Sequence, residues 1–119
     1  MPSQHEHAFQ VLHNGEFLAT FDLDHSPFLD WAVTVIFDTA VHLVEQFLAH
    51  KGQDLLSHET RERFISQSAD LKPIWSVYRE LKYQSERARY LVARFQPDEL
   101  RKLAGKLRQV ETHIEGLLG

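Results

Sequence analysis

The sequence predicts an all-α protein, an up-and-down bundle of four to five helices forming one domain over residues 1–119. Three observations carry this. Helix-length stretches fill nearly all of the chain, and Pro27, Pro73 and Pro97 stand where such stretches begin. Three of the stretches repeat apolar residues at helical spacing. The connections between them are short, which sets neighbouring helices antiparallel.

The first element is open to two readings. Asn14-Gly15, flanked by Phe9, Val11, Phe17 and Phe21, reads as a tight hairpin. Ala8, Val11, Leu12, Gly15 and Leu18 also form one helix face. No other part of the chain offers a strand to extend a hairpin, and an isolated hairpin is marginal, so helix is favoured over residues 5–20. The second element starts with Ser26 as N-cap and Pro27 at the first helical position, and runs over 27–50 until Gly52 ends it. Ser57 opens a shorter helix with Phe64 and Ile65 on its inner side. The fourth helix is expected at 73–94. Its residues Ile74, Tyr78, Leu81, Ser85, Ala88, Val92 and Phe95 make a seam for bundle packing or for a second helix. Pro97-Asp98-Glu99 starts the last helix, with acid at its positive end, and Leu100, Leu103, Leu107, Val110, Ile114 and Leu117 form its stripe over 97–117.

Composition narrows the function. Cysteine is absent, which excludes disulfides, thiolate metal sites and a thiol nucleophile, and fits a reducing, cytoplasmic setting. No apolar run reaches about 18 residues, so no membrane span is expected. The net charge of −4 gives no global attraction to nucleic acid, though a local basic face remains open. Eight histidines make the charge sensitive to pH near about 6.5.

Two constellations carry chemistry. In the apolar second helix, Thr34, Asp38 and His42 stand four apart and stack along one side. Polar groups inside a bundle must find partners or water. Asp38 and His42 are spaced either to share a metal, with further ligands from elsewhere such as His58, or to form a hydrogen-bonded pair. Neither Glu-x-x-His nor His-Glu-x-x-His occurs, so no metal and no cofactor are assigned. Phosphate-binding glycine loops and the Gly-x-Ser-x-Gly elbow are absent as well. In the fourth helix, Ser85 and Arg89 lie one turn apart. There Arg87, Arg89 and Arg94 interleave with Tyr83 and Tyr90, a pattern that either holds phosphate and stacks a base or is simply a solvated charged face.

Taken in order, Asn14–Leu18, Asp30–Thr34, Phe37, His42, Ser57–Arg61, Tyr78–Leu81, Ser85 and Ala88–Tyr90 resemble small proteins of the HEPN superfamily (higher eukaryotes and prokaryotes nucleotide-binding domains). Where members of this type often carry Phe-Tyr in the central helix, this chain has Phe37-Asp38. The resemblance implies an all-α bundle, often a homodimer, with RNA or a nucleotide as ligand. It also implies either a metal-independent ribonuclease of toxin–antitoxin or other defence systems, with an antitoxin-type protein partner, or a non-catalytic binding or scaffolding module. The nuclease members use an Arg followed a few residues later by His. The one match is Arg108-Gln-Val-Glu-Thr-His113, and five steps of about 100° set its two ends on different faces of a regular helix. His42, His58 and Arg89 offer the same side-chain types: an acid or base and a cation for phosphorane charge.

The expected site is therefore one polar cleft holding Asp38, His42, His58, Arg61, Tyr78, Ser85, Arg89 and Tyr90. In it Asp38 orients His42, Arg89 binds phosphate and Tyr78 offers a hydroxyl or a stacking face. The competing expectation is an interaction module in which these groups only specify packing. A homodimer is also expected because Phe9, Phe17, Trp31, Trp75 and Phe95 compete for one small core.

Overall fold

A computed structural model describes residues 2–53, 57–91 and 93–119. Five α-helices follow in order: α1 (Gln4–Thr20), α2 (Leu29–His50), α3 (His58–Gln67), α4 (Trp75–Tyr90, entered through a single 3-10 turn, Lys72–Ile74) and α5 (Pro97–Leu118). Among the described residues there is no strand. The expectation of an all-α bundle of four to five helices therefore holds, and residues 5–20 are helix.

Local chemistry sets most of the ends. Ser3 and Glu6 form a reciprocal capping box at the start of α1, each side chain bonding the other's backbone N–H. Ser57 Oγ accepts from the Thr60 N–H at the start of α3. At the start of α5 the Gln96 N–H donates to Glu99 Oε1, with Pro97 at the first helical position. At the end of α2 the Gln53 N–H donates to Leu48 and the Gly52 N–H to Ala49. This is a Schellman closure that needs Gly52 at φ +73°.

Three ends differ from the sequence expectation, the first being the start of α4, at Trp75 rather than 73, because Lys72–Ile74 form a 3-10 turn. α2 begins at Leu29 rather than at residue 27. Ser26 Oγ instead accepts from the Phe28 N–H in a tight local turn, so Pro27 lies in the connection and not in the helix. α4 ends at Tyr90, not 94, because Leu91 turns extended. Phe95 still reaches the core, from the connection before α5 rather than from the helix. Val92 of the expected seam lies outside the described residues.

α2 is the central helix. Gln4 meets His50 while Asn14 meets Asp38, so α1 runs antiparallel to it. α4 and α5 cover its other sides and run antiparallel to each other, with Lys106 beside Glu80 and His113 beside Asp70. By length and composition α2 is apolar enough to cross a membrane, but most of it is buried within the bundle. Ala32, Val33, Ile36, Ala40, Val44 and Phe47 meet Tyr78 and Leu81 of α4 and Leu100, Val110 and Ile114 of α5 in one core. At about 25 cal/mol per Å² of apolar area removed from water, this cluster is the main source of stability. The α4 seam is thus spent inside the chain.

α1 differs from the other long helices. Its buried residues are His7 and Asn14, both polar, whereas Phe9 and Leu12 point outward and are 68% and 70% exposed. Its contact with α2 is therefore stitched by hydrogen bonds as much as by apolar burial.

Candidate functional site

The polar stripe of α2 faces α1. Asn14 Nδ2 donates to Asp38 Oδ2 at 2.9 Å, and Gln10 Nε2 donates to Asn14 Oδ1 at 2.9 Å. One turn along α2, His42 meets His7, Nδ1 to Nδ1, at 2.9 Å. The outer nitrogens of this pair face carboxylates: His7 Nε2 lies 3.3 Å from Glu45 and His42 Nε2 lies 3.5 Å from Asp38. Glu45 is held from its other oxygen by Arg61 of α3. Arg61 also donates to His58 Nδ1 at 2.7 Å. A continuous polar chain thus runs from Gln10 through Asn14, Asp38, His42, His7, Glu45 and Arg61 to His58.

Burial varies along this chain. His7 and Arg61 are almost fully covered, His42 and Glu45 are half-buried, and Asp38 and His58 are exposed. Burial holds the His7 imidazole below the usual histidine range, against an upward pull from Glu45, and the neighbouring His42 lowers it further. Glu45 beside the buried Arg61 guanidinium offsets part of the cost of taking that charge out of water. The open end of the network is a shallow groove lined by His5, Glu6, His7, Phe9, Gln10 and His42.

Tyr78 stands behind this network, in the core. Its ring packs edge-on against Phe37 at 5.4 Å and lies beside Trp75 at 6.4 Å. Among the described residues neither its hydroxyl nor Arg61 Nε makes a hydrogen bond of normal geometry, although both are buried and the Arg61 side chain lies close to the hydroxyl. Burial pushes the Tyr78 hydroxyl up to about 12, with the Arg61 charge pulling the other way. Tyr78 is therefore a core side chain and offers no stacking face to a ligand.

The expected single cleft separates into two regions. Asp38, His42, His58 and Arg61 belong to the network above. Ser85 is buried in the core seam. Arg89 and Tyr90 lie at the other end of the bundle, in a groove shared with Asp30. Asp30 is twelve residues from His42 on α2, a rise of about 18 Å. The Asp38 and His42 face of α2 meets α1, not the Arg89 turn of α4, so within one chain Arg89 cannot act on a phosphate held at His42. Arg108 is exposed on α5, and His113 Nε2 is engaged by the Asp70 carbonyl, so these two do not form a unit with either region.

The second region is more open. Arg89 donates to the Tyr90 hydroxyl at 2.7 Å and lies over its ring at 4.8 Å, while Arg87 lies over Phe95 at 5.3 Å. Asp30 also lines an adjoining groove with Arg94, Phe95 and Gln96. Phe28, Trp31, Tyr90 and Leu91 are all more than half exposed at this end.

Four members of the network escaped the sequence reading as site residues. His7, Gln10, Asn14 and Glu45 stand on no motif with Asp38, His42 and Arg61, and only the docking of α1 and α3 on α2 brings them together. One signal was available: Ser3 with Glu6 is a capping-box pattern, which places His7 in the first turns of a helix. No family model, no curated protein and no solved structure matches this chain.

Proposed function

We propose that this protein is a helical module that binds RNA or a nucleotide at the C-terminal end of α4, the ligand class that its HEPN-like series of residues implies. The observation that carries this reading is the pairing of exposed cations with exposed aromatic rings around Asp30. Arg89 and Arg94 flank two adjoining grooves, and Tyr90, Phe28 and Trp31 stand open beside them. Aromatic faces stack bases of any identity, and guanidinium groups hold phosphate oxygens with planar geometry. Asp30 adds an acceptor for a base amine or a ribose hydroxyl. The reading is of binding rather than cleavage, because among the described residues no histidine lines either groove.

The test is fluorescence anisotropy with a labelled single-stranded RNA oligonucleotide, and with a labelled nucleoside triphosphate, at low and moderate salt. Binding should weaken as salt rises. The double variant Arg89→Ala/Arg94→Ala should bind at least tenfold more weakly and lower the salt slope by about 1–2 while melting as wild type does. No binding at low salt, or equal binding by the double variant, overturns the proposal.

A second reading has its own observation. Phe28, Trp31 and Leu91 are 57%, 59% and 61% exposed, as an apolar contact face requires. On this account the end of the bundle seals a homodimer, and the protein acts as an interaction or scaffolding module. Light scattering that shows only a 13.9 kDa species at high concentration counts against it.

A further inference from the structure

The His7–His42 pair turns on where its ring protons sit. Each outer nitrogen faces a carboxylate, His7 Nε2 at 3.3 Å from Glu45 and His42 Nε2 at 3.5 Å from Asp38. With the ring protons on those outer nitrogens, the two Nδ1 lone pairs face each other at 2.9 Å, the arrangement that a metal ion between them would bind. With a proton on one Nδ1, the same contact is a hydrogen bond between the rings, and that is the state against which the metal is tested.

We propose that His7 and His42 bind a divalent transition-metal ion of the zinc type through their Nδ1 atoms. Asp38 and Glu45 hold the two rings from behind, and the remaining coordination positions open to the groove.

The geometry fits such an ion. With metal–nitrogen bonds of about 2.0–2.1 Å, nitrogens 2.9 Å apart subtend roughly 90°, and a separation of about 0.4 Å brings them to the tetrahedral angle. One donor atom from each of His7, His42 and Glu45 lies within 4.8 Å of the others, the compact grouping that an ion of this kind requires. A carboxylate behind each ligating imidazole is the usual device for fixing tautomer and orientation. The charge balance also suits a cation. Asp38 and Glu45 carry two negative charges against the one positive charge of Arg61, and Glu6 adds another carboxylate at the rim. His42 is only partly covered and lines the groove, so an ion has a path of entry.

The experiment uses the full chain freed of metal by chelation and dialysis. Zinc is titrated by calorimetry at pH 7.5, with cobalt as a spectroscopic probe and the melting temperature as a second readout. One equivalent is expected to bind and to raise the melting temperature. His42→Ala and His7→Gln should weaken binding at least tenfold, and the control His25→Ala, at an exposed histidine, should leave it unchanged. X-ray absorption on the zinc-loaded wild type should show two imidazole nitrogens. That readout stands even if the His7 variant fails to fold. No stoichiometric binding, an unchanged affinity in His42→Ala, or an absorption spectrum without histidine overturns the site. A wild type that binds no zinc but gains a proton between the two rings, visible as one shared imidazole resonance, also overturns it in favour of a protonated pair.

Discussion

Replacing Tyr78 with phenylalanine should stabilise this protein, although Tyr78 is among the most completely buried side chains of its core. The ring does the packing, edge-on to Phe37 and beside Trp75, and Phe keeps both contacts. The hydroxyl is buried without a hydrogen-bond partner. A hydroxyl left in that state costs about 1–3 kcal/mol relative to one bonded to water in the unfolded chain. Removing one oxygen leaves a small gap that takes back part of the gain. The net expectation for Tyr78→Phe is a gain of about 1 kcal/mol, or about 3–5 °C in melting temperature for a chain of this size. Tyr78→Ala is the contrast: it deletes the ring and should cost about 3–5 kcal/mol. Urea and thermal unfolding at pH 7 measure both, with the urea slope checked for constancy. A loss of about 1 kcal/mol or more in Tyr78→Phe would refute the reasoning, because it would mean that the hydroxyl bonds Arg61 in solution.

Gly52 takes φ +73° with nothing within 4 Å of a Cβ placed on it, so Gly52→Ala should cost about 1–2 kcal/mol in backbone strain alone, and Gly52→Asn less. Chemical denaturation of the two variants separates backbone strain from a clash, which would penalise asparagine more. His7 has its imidazole held below the usual range by burial, so the unfolded chain takes up its proton first. Stability in chelator should therefore be flat above about pH 6.5, fall as pH drops below it, and level off once the folded value is passed, and His7→Gln should flatten that slope. A slope unchanged in His7→Gln would move the effect to another group. Arg61→Ala leaves Glu45 without its partner beside a buried histidine; since Glu45 is 23% exposed, the cost should be about 2 kcal/mol rather than the larger value of a fully buried pair, as thermal melts can read. The chain stripped of metal by chelation should still melt cooperatively, because the core beneath α1 is apolar and needs no ion to form, whereas loss of the folding transition would make a metal structural.

Much of the fold was legible because it rests on local chemistry and one-dimensional periodicity. The apolar stripes of α2, α4 and α5 have a period set by the helix itself, and Ser57, Gly52 and Pro97 mark ends by means that act within a few residues. The misplaced ends have the same local character. Ser26 has two backbone uses, a cap or a turn, and the sequence does not choose between them. The extended turn at Leu91 depends on where α5 must begin.

The site was legible only in half. Asp38 and His42 announced themselves as polar residues four apart in an apolar helix, and that stripe is indeed where α2 carries its polar contacts. Their partners were not legible. His7 lies 35 residues from His42, and Arg61 lies 16 from Glu45. Nothing along the chain encodes such separations. They follow from the docking of α1 antiparallel on one side of α2 and of α3 near its C-terminal half. The sequence alone determined that α2 would be central, because it is apolar on most sides, and that its polar stripe would need partners, because unpaired polar groups are costly in a core. Only the tertiary structure decided that α1 rather than α4 supplies them. That choice turns on which neighbour has donors and acceptors at matching heights: on α1 His7 meets His42 and Glu45 and Asn14 meets Asp38, whereas α4 presents Tyr78, Leu81 and Ser85 to the core and carries Arg89 beyond reach at the far end.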